Sequence, residues 1–270
     1  MKETTLNHYS PVFSNRPWAN RNGAIIRLRR QAGSEQLIRE TTGPKKWGAE
    51  KHLYPQAIED ALATVEAMVA PLYRKLLANE PLAPIERLMW SRWMLCQLSR
   101  TPSHILEFAG LEEEVLASFP GFTYRFSAAE VQEKIEMATA GALSFLESDQ
   151  LIPFIMLRDW VVLRPADGEF FIKGDTPVII RGALIHDGAT VVYPLSPEHC
   201  FVATVLGGFP PHQIQAEYRL KRGETAYYLK VIAACASCEV ICHPDHWSQD
   251  LEMLIAGLLG TSSRTIKLGW

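Results

Sequence analysis

Residues 170 to 199 read FFIKGDTPVIIRGALIHDGATVVYPLSPEH, and this stretch decides the fold. Phe170, Phe171 and Ile172 form a short β-type run, Gly174-Asp175-Thr176-Pro177 reads as a turn, and Val178-Ile179-Ile180 is a second run. Gly174 can take backbone conformations closed to other residues, Pro177 fixes its own φ and pushes Thr176 extended, and Asp175 can accept from the donors of the turn. Thr190 to Tyr193 makes a third run, which Pro194 and Pro197 are expected to stop because neither can donate to a ladder. A small, largely antiparallel sheet follows from this pattern. Asp175 has two readings that the stretch does not separate: a cap for its turn, or a carboxylate presented at a sheet end as a base or cation ligand.

Working outward, Ile26 and Leu28 alternate with Arg27 and Arg29, the pattern of a half-buried strand, and residues 31 to 56 are polar and irregular. From Pro55 to Asn79, Ile58, Leu62, Val65, Val69, Leu72 and Leu76 recur at spacings of four and three, one apolar stripe of an amphipathic helix. A second helix starts at about Pro84 and ends near Ser99, where Thr101-Pro102 ends or bends it. Residues 111 to 118 read as a short acidic helix before Phe119-Pro120-Gly121, and Ser127-Ala-Ala-Glu is a capping box for a helix through Val131, Ile135, Ala138, Ala142 and Phe145. Trp160 to Leu163 leans to strand, Thr225 to Ser237 to helix, Glu239 to Cys242 to a short buried strand, and His246 to Leu259 to a last helix.

The expected fold is therefore α+β, a helical N-terminal half packed on a small, largely antiparallel sheet with C-terminal helices. One domain spans 1 to 270: the N-terminal segment and helices to about 150, the sheet and C-terminal helices from 151 to 260, and a peripheral tail from 261 to 270. A hydrophobic share of 47% with 21% charged residues is ordinary for a globular chain and leaves no segment to assign to disorder beyond the ends. A net charge of -3 argues against a surface that coats nucleic acid, while leaving room for a local basic patch. The opening MKETTLNHYSPVF lacks the apolar core of a signal peptide, no run approaches the about 18 apolar residues of a membrane span, and five cysteines fit reduced thiols, so a cytoplasmic protein without a membrane partner is expected.

Two constellations carry chemistry. Trp93, Gln97 and Arg100 share a helix face that could bind an anion, or form a solvated face with Arg100 stabilised at the helix C-terminus. Cys235, Cys238, Cys242 and His246 bring zinc-type ligands close in sequence, yet structural zinc sites separate two ligand pairs by a longer loop. Buried thiols with Asp245 capping the next helix form the other reading. No GxSxG elbow, phosphate-binding glycine loop, HExxH or dinucleotide fingerprint is present.

Taken in order, NHYSPVFSNRPW, IIRLRR, GPKKWGAEKHLYP, LATVEAMVAPLYRKL, ERLMWSRWMLCQLSRTPSHI, FFIKGDTPVII and VVYPLSPEH resemble domain of unknown function family 4238, a family of mainly bacterial proteins. Its members begin like NHYVPQFYLRNF and carry a Gln-x-x-Arg-x-Pro helix end, a Ser-Asp-x-Pro-Val turn and a PLSP segment. The similarity runs over about residues 7 to 205, matching at Asn7, His8, Tyr9, Pro11, Phe13, Gln97, Arg100, Pro102, Asp175, Pro177 and Val178, and departing at Val12 and Gly174. The resemblance supplies no activity; it implies a polar group of His8, Glu50, Glu66, Gln97, Arg100 and Asp175.

On that group rests the expectation of a hydrolase acting with metal assistance on a phosphoester, nucleic acid included. Asp175 with Glu66 or Glu50 would supply carboxylates, His8 would move protons, and Gln97, Arg100, Tyr9 and Arg16 would hold an anionic substrate. A divalent metal would serve those carboxylates; no other cofactor is legible. The alternative is a non-enzymatic binding or interaction protein in which the same residues form a buried structural network.

Overall fold

The computed structural model describes residues 6–31, 34, 36–53, 55–110, 127–144, 149–206 and 215–261. The acidic helix expected over 111–118, Phe119 to Gly121, Phe145 and the tail from 262 lie outside the described residues.

The chain opens with β1 (Leu6–His8), α1 (Val12–Asn15), β2 (Ile25–Arg30), β3 (Leu37–Thr42) and β4 (Ala49–Lys51). Among the described residues four helices follow, α2 (Gln56–Leu77), α3 (Pro84–Ser99), α4 (Pro102–Phe108) and α5 (Ala128–Ser144). After α6 (Pro153–Met156) come β5 (Asp159–Arg164), β6 (Lys173–Gly174), β7 (Ile179–Arg181), β8 (Thr190–Ser196), β9 (His199–Thr204) and β10 (Gln215–Arg219). The described chain ends with α7 (Glu224–Cys235), β11 (Glu239–Cys242) and α8 (Gln249–Leu258).

These strands make three sheets: β1-β4, a five-stranded sheet ordered β10-β5-β9-β8-β7, and a four-stranded sheet ordered β3-β2-β11-β6. The expected architecture of a helical N-terminal half on one small sheet is thereby overturned. Helices are spread through the chain, and the N-terminal residues supply four strands, two of which pair in the four-stranded sheet. The reason is visible in β2, which pairs β3 on one side and β11, more than 200 residues away, on the other. No local pattern announces such a partner. In the larger sheet β10 runs parallel to β5.

The central strands β5, β9 and β8 of the five-stranded sheet are buried on both faces, which is why they read as near-continuous apolar runs. Trp160, Val162, Val191, Tyr193, Phe201 and Ala203 face the helical layer, where Val69, Leu72 and Leu76 of α2 and Trp90 and Trp93 of α3 cover them. Val161, Leu163, Val192 and Val202 face the other way, toward Leu28, Val240 and Ile241 of the four-stranded sheet and Ile232 and Ile255 of the C-terminal helices. Alternation along each strand assigns successive side chains to the two cores. The helix α3 lies between layers, so nearly every residue from Trp90 to Arg100 is buried and the expected solvated face does not form.

Two local expectations are corrected. Pro194 does not stop the third run: β8 continues to Ser196, with Pro194 opposite Cys200 and a register shift before Ser196. β7 stops pairing at Val192, so at Pro194 the strand has β9 alone as a neighbour and the absent N–H is tolerated there. Gly174 does not take a left-handed conformation; a Cβ on it would lie 2.9 Å from Ala236 Cβ, so it serves the close approach of the end of α7.

Gly48 is the position where backbone freedom is required. Its φ is +70, its carbonyl accepts from Ser10 N–H at 3.0 Å, and a Cβ would fall 2.4 Å from Ser10 Cβ. Gly48→Ala is expected to lower stability by about 2 kcal/mol or more, from left-handed strain plus the collision, as read from urea denaturation at an unchanged m-value. An effect below half of that would show that the loop moves aside at little cost.

Candidate functional site

β6 and β11 pair antiparallel with Gly174 opposite Val240, and the next bond, from Asp175 N–H to the Glu239 carbonyl at 3.1 Å, sets the two acidic residues opposite each other where β6 ends. Both line a cleft of about 490 Å³ together with Tyr9, Arg27, Lys46, Glu50, Ser103 and Cys238. Register alone therefore produces a carboxyl pair.

The two carboxyls have different partners. Asp175 does not cap its own turn; its carboxylate accepts from Ser237 N–H at 2.6 Å, Cys238 N–H at 2.9 Å and the Cys238 thiol at 3.2 Å, in the connection between α7 and β11. Glu239 accepts from Tyr9 Oη at 3.3 Å and Arg27 Nε at 2.6 Å, and pairs also with Arg27 Nη2. Arg27 in turn reaches Glu40 at 3.4 Å, and Arg29 reaches Glu40 at 2.8 Å. One face of the four-stranded sheet thus carries a row of charges running Glu40, Arg27 and Arg29, Glu239, Asp175.

Burial is the largest influence on both carboxyls and raises their proton affinity above the ordinary range. For Glu239 the nearby Asp175 adds to the rise and Arg27 opposes it; for Asp175 the backbone donors oppose it. Because Arg27 is partly exposed, its opposition is screened, and burial wins. Tyr9 is likewise pushed well above its usual value, by burial first and by Glu239 and Asp175 next, so its hydroxyl stays protonated and donates.

Gln97 and Arg100 do not face the cleft. Gln97 Nε2 and Arg100 Nε donate to the carbonyl of Tyr9 at 2.6 and 2.9 Å, and Arg100 Nη2 pairs with Glu66 at 2.8 Å. Arg100, 1% exposed and over the Trp93 ring at 5.0 Å, is a structural clamp on the N-terminal segment. His8 bonds the Lys45 carbonyl at 3.1 Å, and its neighbour Asn7 donates to Glu59 at 3.2 Å. Among the sequence-derived candidates, Tyr9, Glu50 and Asp175 line the cleft; His8, Glu66, Gln97 and Arg100 stand outside its lining, and Arg16 lines a separate groove.

The cysteine and histidine cluster is dispersed by the fold. Cys242 is buried in β11 with its thiol pushed up to about 12, Cys238 lies at the cleft, Cys235 ends α7, and His246 stacks on Phe170 at 4.5 Å. Among the described residues no three His, Cys, Asp or Glu side chains converge as a metal-binding group. Ser248, accepting from Leu251 N–H at 3.1 Å, caps α8 in place of Asp245.

Glu239, Arg27 and Lys46 are the charged cleft residues that sequence reasoning missed. The available signal was an acidic residue opening an otherwise apolar strand, since a buried carboxyl needs a partner. The family model described as protein of unknown function (DUF4238) matches residues 7–246. No curated protein and no solved structure matches the chain.

Two outcomes are expected. Arg100→Met should destabilise the protein by roughly 2–3 kcal/mol in denaturant titration, because Glu66 loses its cation and the Tyr9 carbonyl loses one of its two donors; the remaining Gln97 bond and the partial exposure of Glu66 keep the figure at the lower end. The second concerns pH. A carboxyl whose proton affinity is higher folded than unfolded makes the native state bind more protons, so stability falls as pH rises from about 4.5, the ordinary value for Glu239, through the raised one. Glu239→Gln should flatten that part of the curve of unfolding midpoint against pH; an unchanged slope would place the titration elsewhere.

Proposed function

The chain belongs to the DUF4238 family of proteins of unknown function, and from the cleft we propose that it is a hydrolase acting on a phosphoester. The observation that carries this reading is the pair Asp175 and Glu239, opposed across two strands at the floor of a cleft, both holding protons more tightly than ordinary carboxyls. A carboxyl with raised proton affinity is better suited than an ordinary one to hand a proton to a leaving oxygen, and a second carboxyl beside it could accept from water. Arg27 and Lys46 supply the positive charge that would receive the phosphate.

Metal assistance in this cleft would take the form used by Mg²⁺, which binds through one or two carboxylates and completes its shell with substrate phosphate and water. Glu50, Glu239 and Asp175 line the cleft, and since no three such side chains converge among the described residues, at most two of them would serve. Two cations against three acidic residues suit a single phosphate group better than a nucleic-acid backbone, which needs a row of basic contacts. No helix among the described residues is long and apolar enough to cross a membrane. From the free thiols of Cys96, Cys200 and Cys242, which would persist in a reducing compartment, we propose a cytoplasmic location.

A second reading is favoured by the three donors on Asp175. A carboxylate fully engaged by Ser237 and Cys238 tethers the loop between α7 and β11, and the protein would then be a non-enzymatic binding or interaction protein with a polar structural network.

The test uses p-nitrophenyl phosphate and bis(p-nitrophenyl) phosphate with Mg²⁺ or EDTA, and a single-stranded oligonucleotide as a third substrate. Turnover that falls about 100-fold or more in Glu239→Gln at unchanged melting temperature supports the hydrolase. No turnover of any phosphoester, together with collapse of stability in Asp175→Asn, establishes the structural reading instead. Cleavage of the oligonucleotide alone would reverse the preference for a single phosphate.

A further inference from the structure

Arg16 was expected to hold substrate, yet the cleft does not contain it. It lines a second groove of about 500 Å³ with Lys45 and Lys46, walled by Thr41 and Thr42 from the end of β3 and by Asn22 and Gly23 from the turn before β2. This groove has three cations and no carboxylate in its lining. Several cations elsewhere are held by carboxylates: Arg27 and Arg29 pair Glu40, Lys75 pairs Glu86, Arg164 pairs Glu198 and Arg219 pairs Asp167. Arg16, Lys45 and Lys46 make no ion pair among the described residues.

Three like charges along one concavity repel each other, and solvent or a bound anion screens that repulsion. The backbone holds the arrangement in place. Arg16 follows α1 and opens a single turn of 3-10 helix closed by the Ala19 N–H on its carbonyl; Lys45 and Lys46 sit on the turn Gly43–Trp47, whose carbonyls at Pro44 and Trp47 are both held by the side-chain amide of Asn15. Asn15 thus fixes the lysine turn to the segment that ends in Arg16. Two hydroxyl side chains beside the cations add donors suited to phosphate oxygens.

Lys46 also lines the catalytic cleft, so the two concavities meet at this residue. We infer that the groove is a second anion subsite which holds a phosphate group of a ligand whose other phosphate enters the cleft, with Lys46 shared between them. Anion capture by the groove stands on its own lining; that one ligand spans both concavities rests on the reading of the cleft as a phosphoester site. The chemical class is a small bisphosphorylated molecule.

Inorganic phosphate titrated calorimetrically into the full chain at low ionic strength tests the groove. Arg16 and Lys45 are exposed, so Arg16→Ala and Lys45→Ala remove charge without disturbing the core, and circular dichroism verifies the fold. Phosphate affinity is expected to fall roughly tenfold for each cation removed. Wild-type affinity in the double variant, or no phosphate binding by the wild type, overturns the subsite whatever the hydrolysis assays show. For the span, thymidine 3′,5′-bisphosphate is expected to bind more tightly than thymidine 5′-monophosphate, with the advantage lost in Lys46→Ala. Equal affinities, or an advantage that Lys46→Ala leaves intact, overturn the bridging role. Absence of hydrolysis with these affinities intact would remove the catalytic reading alone.

Discussion

A single buried guanidinium ties the N-terminal segment to the rest of the protein. Arg100 donates to the carbonyl of Tyr9, 91 residues earlier in the chain, and Gln97 donates to the same oxygen from one turn before. From that anchor the segment continues as a strap between layers. Phe13 packs edge-on against Tyr73 and beside Trp93, Ser14 and Asn15 accept from the fully buried amine of Lys173, and Asn15 donates to three carbonyls, those of Ser10, Pro44 and Trp47. Burying Lys173 is costly and lowers its proton affinity, and its three acceptors on the strap offset that cost. The strap is therefore held by polar bonds at depth, where such bonds are strong and their loss expensive.

The position of Tyr9 links this scaffold to the cleft. Its carbonyl belongs to the clamp and its hydroxyl to Glu239, so the same residue fixes the N-terminal segment and contributes to the carboxyl pair. The residues that resemble the family opening, Asn7, His8, Tyr9, Pro11 and Phe13, all fall in the strap or immediately before it. Their clustering follows from packing as much as from chemistry. The same holds for Gln97 and Arg100, whose spacing reads as an anion-binding face but whose ligand is a backbone carbonyl of the chain itself.

Legibility in the sequence followed the range of the interactions. The helices α2 and α3 were legible to within two residues because an apolar stripe and an N-terminal proline are local signals, and β11 was legible as a short apolar run between breakers. Strands β3, β4 and β10 were not, because Leu37–Thr42 and Gln215–Arg219 are polar and half-exposed and are strands only by virtue of their partners. The carboxyl pair shows the same limit. Asp175 could be singled out from its turn, but Glu239 becomes its neighbour through a two-residue strand pairing across 64 positions, and Arg27 joins them from the opposite end of the chain. Zinc ligands close in sequence were separated for the complementary reason: a helix end, a loop, a strand and a 3-10 turn point four nearby residues in different directions.

The two carboxyls of the cleft are not equivalent, and the difference lies in what holds them. The nitrogen donors on Asp175 are backbone N–H groups of Ser237 and Cys238, fixed by the approach of α7 to β11, so that carboxylate cannot leave its partners without loosening the loop. The donors on Glu239 are side chains, the hydroxyl of Tyr9 and the guanidinium of Arg27. Arg27 already touches Glu40 as well, and it can swing toward Glu40 or toward an incoming anion while Tyr9 rotates its hydroxyl. Exchange of partners is therefore cheap at Glu239 and expensive at Asp175. The first is thus held by partners that can change, and the second by partners that the fold itself fixes.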